Sequence, residues 1–332
     1  MLEKKQKNLF ETFLELQFKY FVLIRPSDDQ DYVNEMLSEH KDILDSTNIY
    51  FICKKPRLKF IETSIIYDDK NLQIGFELMT KNSIKKECGT LQNYPFFFPN
   101  ANKFSLHERK SKLVVTRSNN TSITIPIEEI FMLFDATNSF KSFLDNEVLD
   151  YHILYIGQGL GKTNESNAYK RIMRHQKLQL ILSQIIENEP YNEVFVLLFT
   201  LDNPYFSGIC DYKFYNNQSK NNFESIINFS STDRFSKKEL VNIMEACLIK
   251  YFCPPFNIHL TKFPKGNEKL IQKCQKYDIN SIFIRIDTSE KNLYLSSQTT
   301  CSKCAHDVKI PLHKDNSRVT FQDILNKENT LI

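Results

Sequence analysis

The sequence predicts an α+β protein, and three observations carry that expectation. Strand-like runs crowd the first 125 residues, with turn chemistry between them. Two strongly helical segments lie further along. The strands around and after those helices are short and apolar. In chain order, residues 8–24 place Leu9, Phe13, Leu16 and Tyr20 at helical spacing, which predicts a helix broken at Arg25-Pro26. A second helix is expected over about 31–44. Strands follow at 49–53, 59–67, 72–79, 112–117 and 122–127, separated by turn clusters around Asp68, Asn100 and Asn119. Residues 1–124 thus read as an N-terminal mixed α/β region with an antiparallel sheet. Its sequence does not indicate a ligand.

From about residue 125 the texture changes. "EEIFMLFDA" (128–136) reads as a strand and "YHILYIG" (151–157) as a stronger one. A helix is expected over 167–186, then a buried strand at 193–201. The polar stretch 202–235 reads as an insertion. A second helix opens at Ser236, where Ser236 and Glu239 form a capping box. It must stop ahead of Pro254-Pro255. These elements make a unit over 125–265. Late strands in "SIFIRID" and "DVKIPL" make residues 266–332 an extension of it.

Composition bounds the class. The chain has 332 residues, 41% apolar and 25% charged, which is ample for a packed core. A net charge of +3 neither announces nor excludes a nucleic-acid partner, since a local basic groove can supply phosphate contacts. Eight scattered cysteines do not form a disulfide framework. Cys247 and Cys253 sit in apolar runs and read as small buried hydrophobes in a reducing compartment. The N-terminus lacks a signal-peptide apolar core, and no apolar run reaches membrane-spanning length. The expectation is a soluble, cytoplasmic protein with no membrane partner.

The stretch "ILYIGQGLGKT" (153–163) superficially resembles a phosphate-binding loop. That motif needs four residues between its first glycine and Gly-Lys-Ser/Thr. Here only three separate Gly157 from Gly161, and Asn164 to Asn167 intervene before the helix that should follow directly. The glycines read instead as a turn after a strand. Cys301-Ser-Lys-Cys304 with His306 and His313 suggests zinc. A single Cys-x-x-Cys lacks its second pair, so free cysteines in a turn are preferred.

The strand and helices carry other chemistry. Arg171 and His175, four apart, share a helical face that continues as Leu178 and Leu182, so they aim inward. Arg174 lies at the stripe's edge and reads as solvated. On the second helix Glu245 borders an apolar stripe of Leu240, Met244, Cys247, Leu248 and Tyr251, and Asn257 follows in "YFCPPFN".

Tyr155-Ile156-Gly157, then Arg171 with His175, then Glu245 within "EACLIKYFCPPFN" ending in Asn257, resembles in order and spacing the GIY-YIG nuclease family. The likeness covers about residues 125–260. It implies a small antiparallel sheet flanked by helices, and hydrolysis of DNA phosphodiesters with one Mg²⁺ or Mn²⁺ held on Glu245. Under it, Arg171 stabilises charge on the phosphoryl oxygens and Tyr155 orients water or a phosphate oxygen. His175 relays a proton and Asn257 fixes the loop. Gly157 would let substrate backbone approach. Lys162, Arg174 and Lys213 would contact the nucleic acid, duplex DNA being the expected form, with Lys213 in the 202–235 insertion. The chain departs from the family at its first signature, Gly-Ile-Tyr. "IFMLF" (130–134) can occupy that strand with Phe at the tyrosine position. Alternatively Tyr151, on the strand of Tyr155, can supply the hydroxyl. The departure leaves a second reading: a degenerate, non-cutting nucleic-acid-binding or interaction module.

Overall fold

The computed structural model describes residues 10–28, 38, 40–107, 110–139, 148–159, 168–210, 235–264, 267–276, 279 and 281–312. The protein is mixed α+β, with one large mixed sheet, a small antiparallel sheet and flanking helices. In chain order the elements are β1 (Phe10–Ile24), α1 (Lys41–Ser46), β2 (Ile49–Tyr67), β3 (Asn71–Met79), β4 (Ile84–Gln92), α2 (Tyr94–Phe97), β5 (Ala101–Leu106), β6 (Lys112–Arg117), β7 (Ser122–Pro126) and α3 (Ile127–Ala136). Then come β8 (Asp150–Gln158), α4 (Ala168–Met173), α5 (Gln176–Asn188), β9 (Asn192–Leu201), β10 (Tyr205–Cys210), α6 (Lys237–Phe252), α7 (Glu268–Lys276), β11 (Ser281–Asp287), β12 (Tyr294–Ser296) and β13 (Ala305–Pro311).

Among the described residues the large sheet has ten strands, with the central path β12-β8-β2-β9-β1-β11-β13. β12 runs parallel to β8 and β11 parallel to β1. The expected small sheet is therefore part of a much larger one. The division at residue 124 does not follow the packing either. β1 and the first half of β2 lie in the middle of the sheet, between strands from the later chain. β2 links the two regions. Residues 49–56 pair with β9, and from Arg57 onward the strand pairs with β3. Pro56 stands at the switch, the end of its pairing with β9, where a missing N–H costs least. The second half of β2, with β3 to β7, α2 and α3, encloses its own core around Phe60, Phe76, Phe104 and Phe131. This module is inserted between two neighbouring strands, β2 and β8.

Two expected elements change type. Residues 10–24 form strand β1, not a helix. More than half of that stretch is apolar, so helical spacing is satisfied by chance. The pairing with β9, β10 and β11 decides the outcome. Conversely, "EEIFMLFDA" is in helix α3, which buries Ile127, Ile130, Phe131 and Phe134 at one-turn intervals. Pro126 before it and Glu128 with Glu129 in its first turn are helix-start signals. Phe131 and Phe134 are core residues of the inserted module and stand in no strand beside β8. The helix expected over 31–44 lies mostly outside the described residues; α1 covers its end.

The helix expected over 167–186 is two helices, α4 and α5, broken at Arg174 and His175. α6 keeps its capping box and ends at Phe252, two residues ahead of Pro254. Cys247 is buried in α6, but Cys253 is exposed at the helix end with φ 47°. α6 lies on one face of the sheet and α4 with α5 on the other. Among the described residues no helix is long and apolar enough to cross a membrane.

Candidate functional site

β8 holds the centre of the site, and a local irregularity sets its geometry. Opposite β2, Tyr155 pairs with Ile52 while Ile153 pairs with Cys53, so Leu154 is an extra residue on β8. The bulge shifts the alternation of side chains. Tyr151, Ile153 and Ile156 enter the core beneath α6, whereas Leu154 and Tyr155 face α4 and α5. Tyr151 and Tyr155 therefore point to opposite faces, although an unbroken strand would align them. Tyr151 is fully buried, its ring 5.3 Å from that of Phe195, beside Lys55, Arg25 and Glu128. It is not the second hydroxyl of the site.

That hydroxyl belongs to Tyr50. Asn48-Ile49-Tyr50 opens β2, and Tyr50 pairs directly with Gly157 on β8. Its ring lies 6.1 Å from Tyr155 and 6.3 Å from His175, and Tyr155 lies 5.9 Å from His175. The three rings thus form one cluster on the α4/α5 face. Gly157 is what makes room. A Cβ there would stand 2.4 Å from the Tyr50 phenol oxygen, so any side chain would expel the ring. The space expected to admit substrate backbone is filled by Tyr50. The break between α4 and α5 places His175 at the cap position of α5 in an extended conformation. Its ring reaches the tyrosines from a helix start and not from the middle of a continuous face.

α6 supplies the carboxylate. Between Leu240 and Ile249 only Asn242 and Glu245 escape full burial. The Glu245 Oε2 accepts a 2.8 Å hydrogen bond from Gln158 Nε2 at the end of β8. Burial pushes the Glu245 carboxyl up to about 7, against the opposing pull of the Arg171 guanidinium and of Gln158. Arg171 also acts on Tyr50, Tyr155 and His175, so one cation is electrostatically common to all four groups. Burial raises both phenols; the Tyr155 phenol raises Tyr50 further, and Glu245 raises both, with Arg171 opposing. Burial, then Arg171 and Lys177, lower His175, leaving a neutral imidazole at pH 7.

Asn257 locks the site to α6. Its side-chain amide bonds both backbone groups of Ile156, accepting from N–H at 2.9 Å and donating to C=O at 2.8 Å. Phe256 N–H bonds Leu154 C=O at 3.1 Å. The segment after α6 thus covers the edge of β8 beyond its pairing with β12, as a strand would.

Three polar atoms here are buried without a hydrogen-bond partner among the described residues: His175 Nδ1, Gln158 Oε1 and Asn267 Nδ2. Each can accept a hydrogen bond from a ligand or water, or donate one to it. A cavity of about 550 Å³ opens beside Glu245 and is lined by Gln158, Asn242, Leu260 and Asn267.

Other expected contacts divide. Arg174 is exposed beside the cluster. Lys162 and Lys213 lie outside the described residues, as does most of the 202–235 stretch. The zinc alternative fails at His306. Its Nε2 faces the carbonyls of Leu295 and Lys303 at 3.0 and 3.1 Å, and its Nδ1 meets the Tyr251 hydroxyl at 3.1 Å. No group of three or more His, Cys, Asp or Glu residues among the described residues could hold a metal. A lone carboxylate beside a side-chain amide whose oxygen is unpartnered is still a set of groups that suits a hard, largely hydrated cation. Comparison with known proteins returns no matching family model, no matching curated protein and no matching solved structure.

Tyr50 and Gln158 are the residues that reading the sequence missed. Tyr50 had a signal, since Ile-Tyr at the start of a strand is two of the three residues of the Gly-Ile-Tyr signature. It stands about a hundred residues ahead of Tyr155, because the inserted module separates two strands that are neighbours in the sheet.

Proposed function

We propose that the protein is a metal-dependent phosphodiester hydrolase of GIY-YIG type, acting on DNA. The observation that supports this most directly is the meeting of Tyr50, Tyr155, Arg171, His175 and Glu245 around the end of β8, drawn from five separate places in the chain. Tyr50 fills the role of the first-signature tyrosine, on a strand antiparallel to that of Tyr155, with Asn48 where the family has glycine.

Each residue has a task that its surroundings suit. Arg171 is always charged and forks onto phosphoryl oxygens, where charge develops in the transition state. Tyr155 and Tyr50 orient the attacking water, and either can take its proton only as a phenolate, after giving its own hydroxyl proton to solvent, a step that burial opposes and nearby positive charge favours. His175, neutral, accepts or passes a proton through Nδ1. Glu245 would hold Mg²⁺ or Mn²⁺, which when bound would supply charge stabilisation to the leaving oxygen. A proton and a cation compete for that carboxylate, because its ionisation falls near pH 7. Asn257 positions β8 against α6 and does no chemistry.

The test is direct. Purified protein incubated with supercoiled, linear and branched DNA should nick or cut in Mg²⁺ or Mn²⁺ and not in EDTA, and Glu245→Ala should lose that activity. Salt-sensitive DNA binding with no metal-dependent cleavage on any of these substrates would select the degenerate, binding-only module.

A further inference from the structure

We propose that Gln158 is a second protein ligand to the cation on Glu245, giving its side-chain carbonyl oxygen to a site that the family resemblance assigns to one carboxylate. This inference rests on the nuclease reading above and deepens it at the metal.

Three features of the chain carry it. First, the terminal amide of Gln158 is already at the carboxylate, with Nε2 2.8 Å from Glu245 Oε2. Two oxygens bound side by side to an octahedral Mg²⁺ at about 2.1 Å sit roughly 3.0 Å apart. A half-turn of the amide would put Oε1 in the place of Nε2, at nearly the spacing that such a pair requires. Second, the turn is open to the side chain. The amide torsion is broad and two-fold, and Oε1 is buried with no partner to give up, so the turn exchanges one unpartnered buried atom, Oε1, for another, Nε2. The hydrogen bond that Nε2 loses is one that a cation on Glu245 would oppose in any case, because an N–H donor cannot face a bound cation. Third, Gln158 is held firmly and faces open space. It ends β8 in register with Ile49, and the next residue, Gly159, donates its N–H to Asn48 C=O at 2.6 Å. The cavity of about 550 Å³ beside it leaves room for the waters that Mg²⁺ retains.

In the metal-free protein Gln158 is therefore a placeholder, with its N–H partly neutralising Glu245. In the loaded protein the same side chain becomes a donor. A residue that merely positions Glu245 would keep donating N–H and would never touch the ion. The two roles differ in the number of water molecules on the metal.

The experiment uses the full-length protein without nucleic acid and Mn²⁺ as the probe. Mn²⁺ affinity is read by electron paramagnetic resonance, and bound waters are counted by pulsed resonance in isotopically labelled water. Gln158→Leu and the equally long Gln158→Met should each weaken Mn²⁺ binding by about tenfold and add one water to the ion. Gln158→Glu should bind at least as tightly as wild type with the wild-type water count. An unchanged water count in Gln158→Leu or Gln158→Met, whatever the affinity, overturns the inference and leaves Glu245 as sole ligand. Mn²⁺ bound equally well by Glu245→Ala, or not bound by the wild-type protein at all, removes the metal site on which the nuclease reading itself depends.

Discussion

Tyr151 and Tyr155 stand four residues apart on one strand, yet they enter two polar clusters of opposite character. Around Tyr151, Arg25 Nη2 meets Glu128 Oε1 at 2.6 Å, Lys55 meets the same oxygen at 3.2 Å, and Glu193 lies 3.5 Å from Arg25 Nε. Burial opposes ionisation of Glu128, but Lys55 and Arg25 outweigh it and hold its carboxyl below the usual range. Around Tyr155 the balance is reversed. Burial outweighs Arg171 at Glu245, and several polar atoms are without partners. The first cluster joins the inserted module to the main sheet through Glu128 of α3 and pairs its charges, although Arg25 Nε, Lys55 Nζ and Tyr151 Oη, like Gln158 Oε1 and His175 Nδ1 in the second, have no hydrogen-bond partner among the described residues. The clusters differ in how their carboxylates are held: ion pairs keep Glu128 charged, whereas burial favours the neutral form of Glu245.

The contrast can be broken in several ways, beginning with the largest effect. Arg171→Ala should reduce metal-dependent cleavage by about a thousandfold or more while the fold survives, and Arg171→Lys should not restore it fully, because a point charge cannot fork onto phosphate. Quantified cleavage with circular dichroism checks both. Glu128→Ala should cost about 3–5 kcal/mol of stability in urea unfolding, since it strands two buried cations. Its effect on cleavage at a temperature where it remains folded should be small.

Tyr50→Phe should slow cleavage by roughly a hundredfold with little loss of stability. The matched change Tyr151→Phe should alter the rate by less than about twofold and stability by under about 1 kcal/mol, because it deletes a hydroxyl that has no partner. Equal effects of the two substitutions would dissolve the distinction between the clusters. Between these in size lies a pH effect. Folding raises the Glu245 carboxyl from 4.5 to about 7, so the folded protein holds that proton more tightly than the unfolded chain. The metal-free protein therefore has its full stability below the unfolded value and loses this contribution as pH rises through 7. Glu245→Gln should match wild type near pH 4.5 and exceed it by about 1–3 kcal/mol at pH 8 in EDTA. A constant difference across that range would refute the assigned burial of the charge.

How much of this was readable beforehand depends on the range of the forces involved. The capping box at Ser236, the stop before Pro254 and the strands at 49–53, 72–79, 193–201 and 281–287 all appear where local chemistry placed them. Turn residues, caps and prolines act over a few positions, so the sequence states them outright. The signals for α3 were equally local, but its apolar run obscured them. Residues 10–24 were undecidable from period alone.

By itself the sequence determined the mixed α+β class, most element positions and four of the clustered side chains, since each of those follows from neighbours in the chain. Only the tertiary structure decided the rest. It made β2 the partner of β8, brought Tyr50 to Gly157 across the inserted module, turned Tyr151 away through the bulge at Leu154, and set Gln158 against Glu245. Strand pairing and burial are contacts between residues far apart in the chain, and no local pattern encodes which distant segment supplies them.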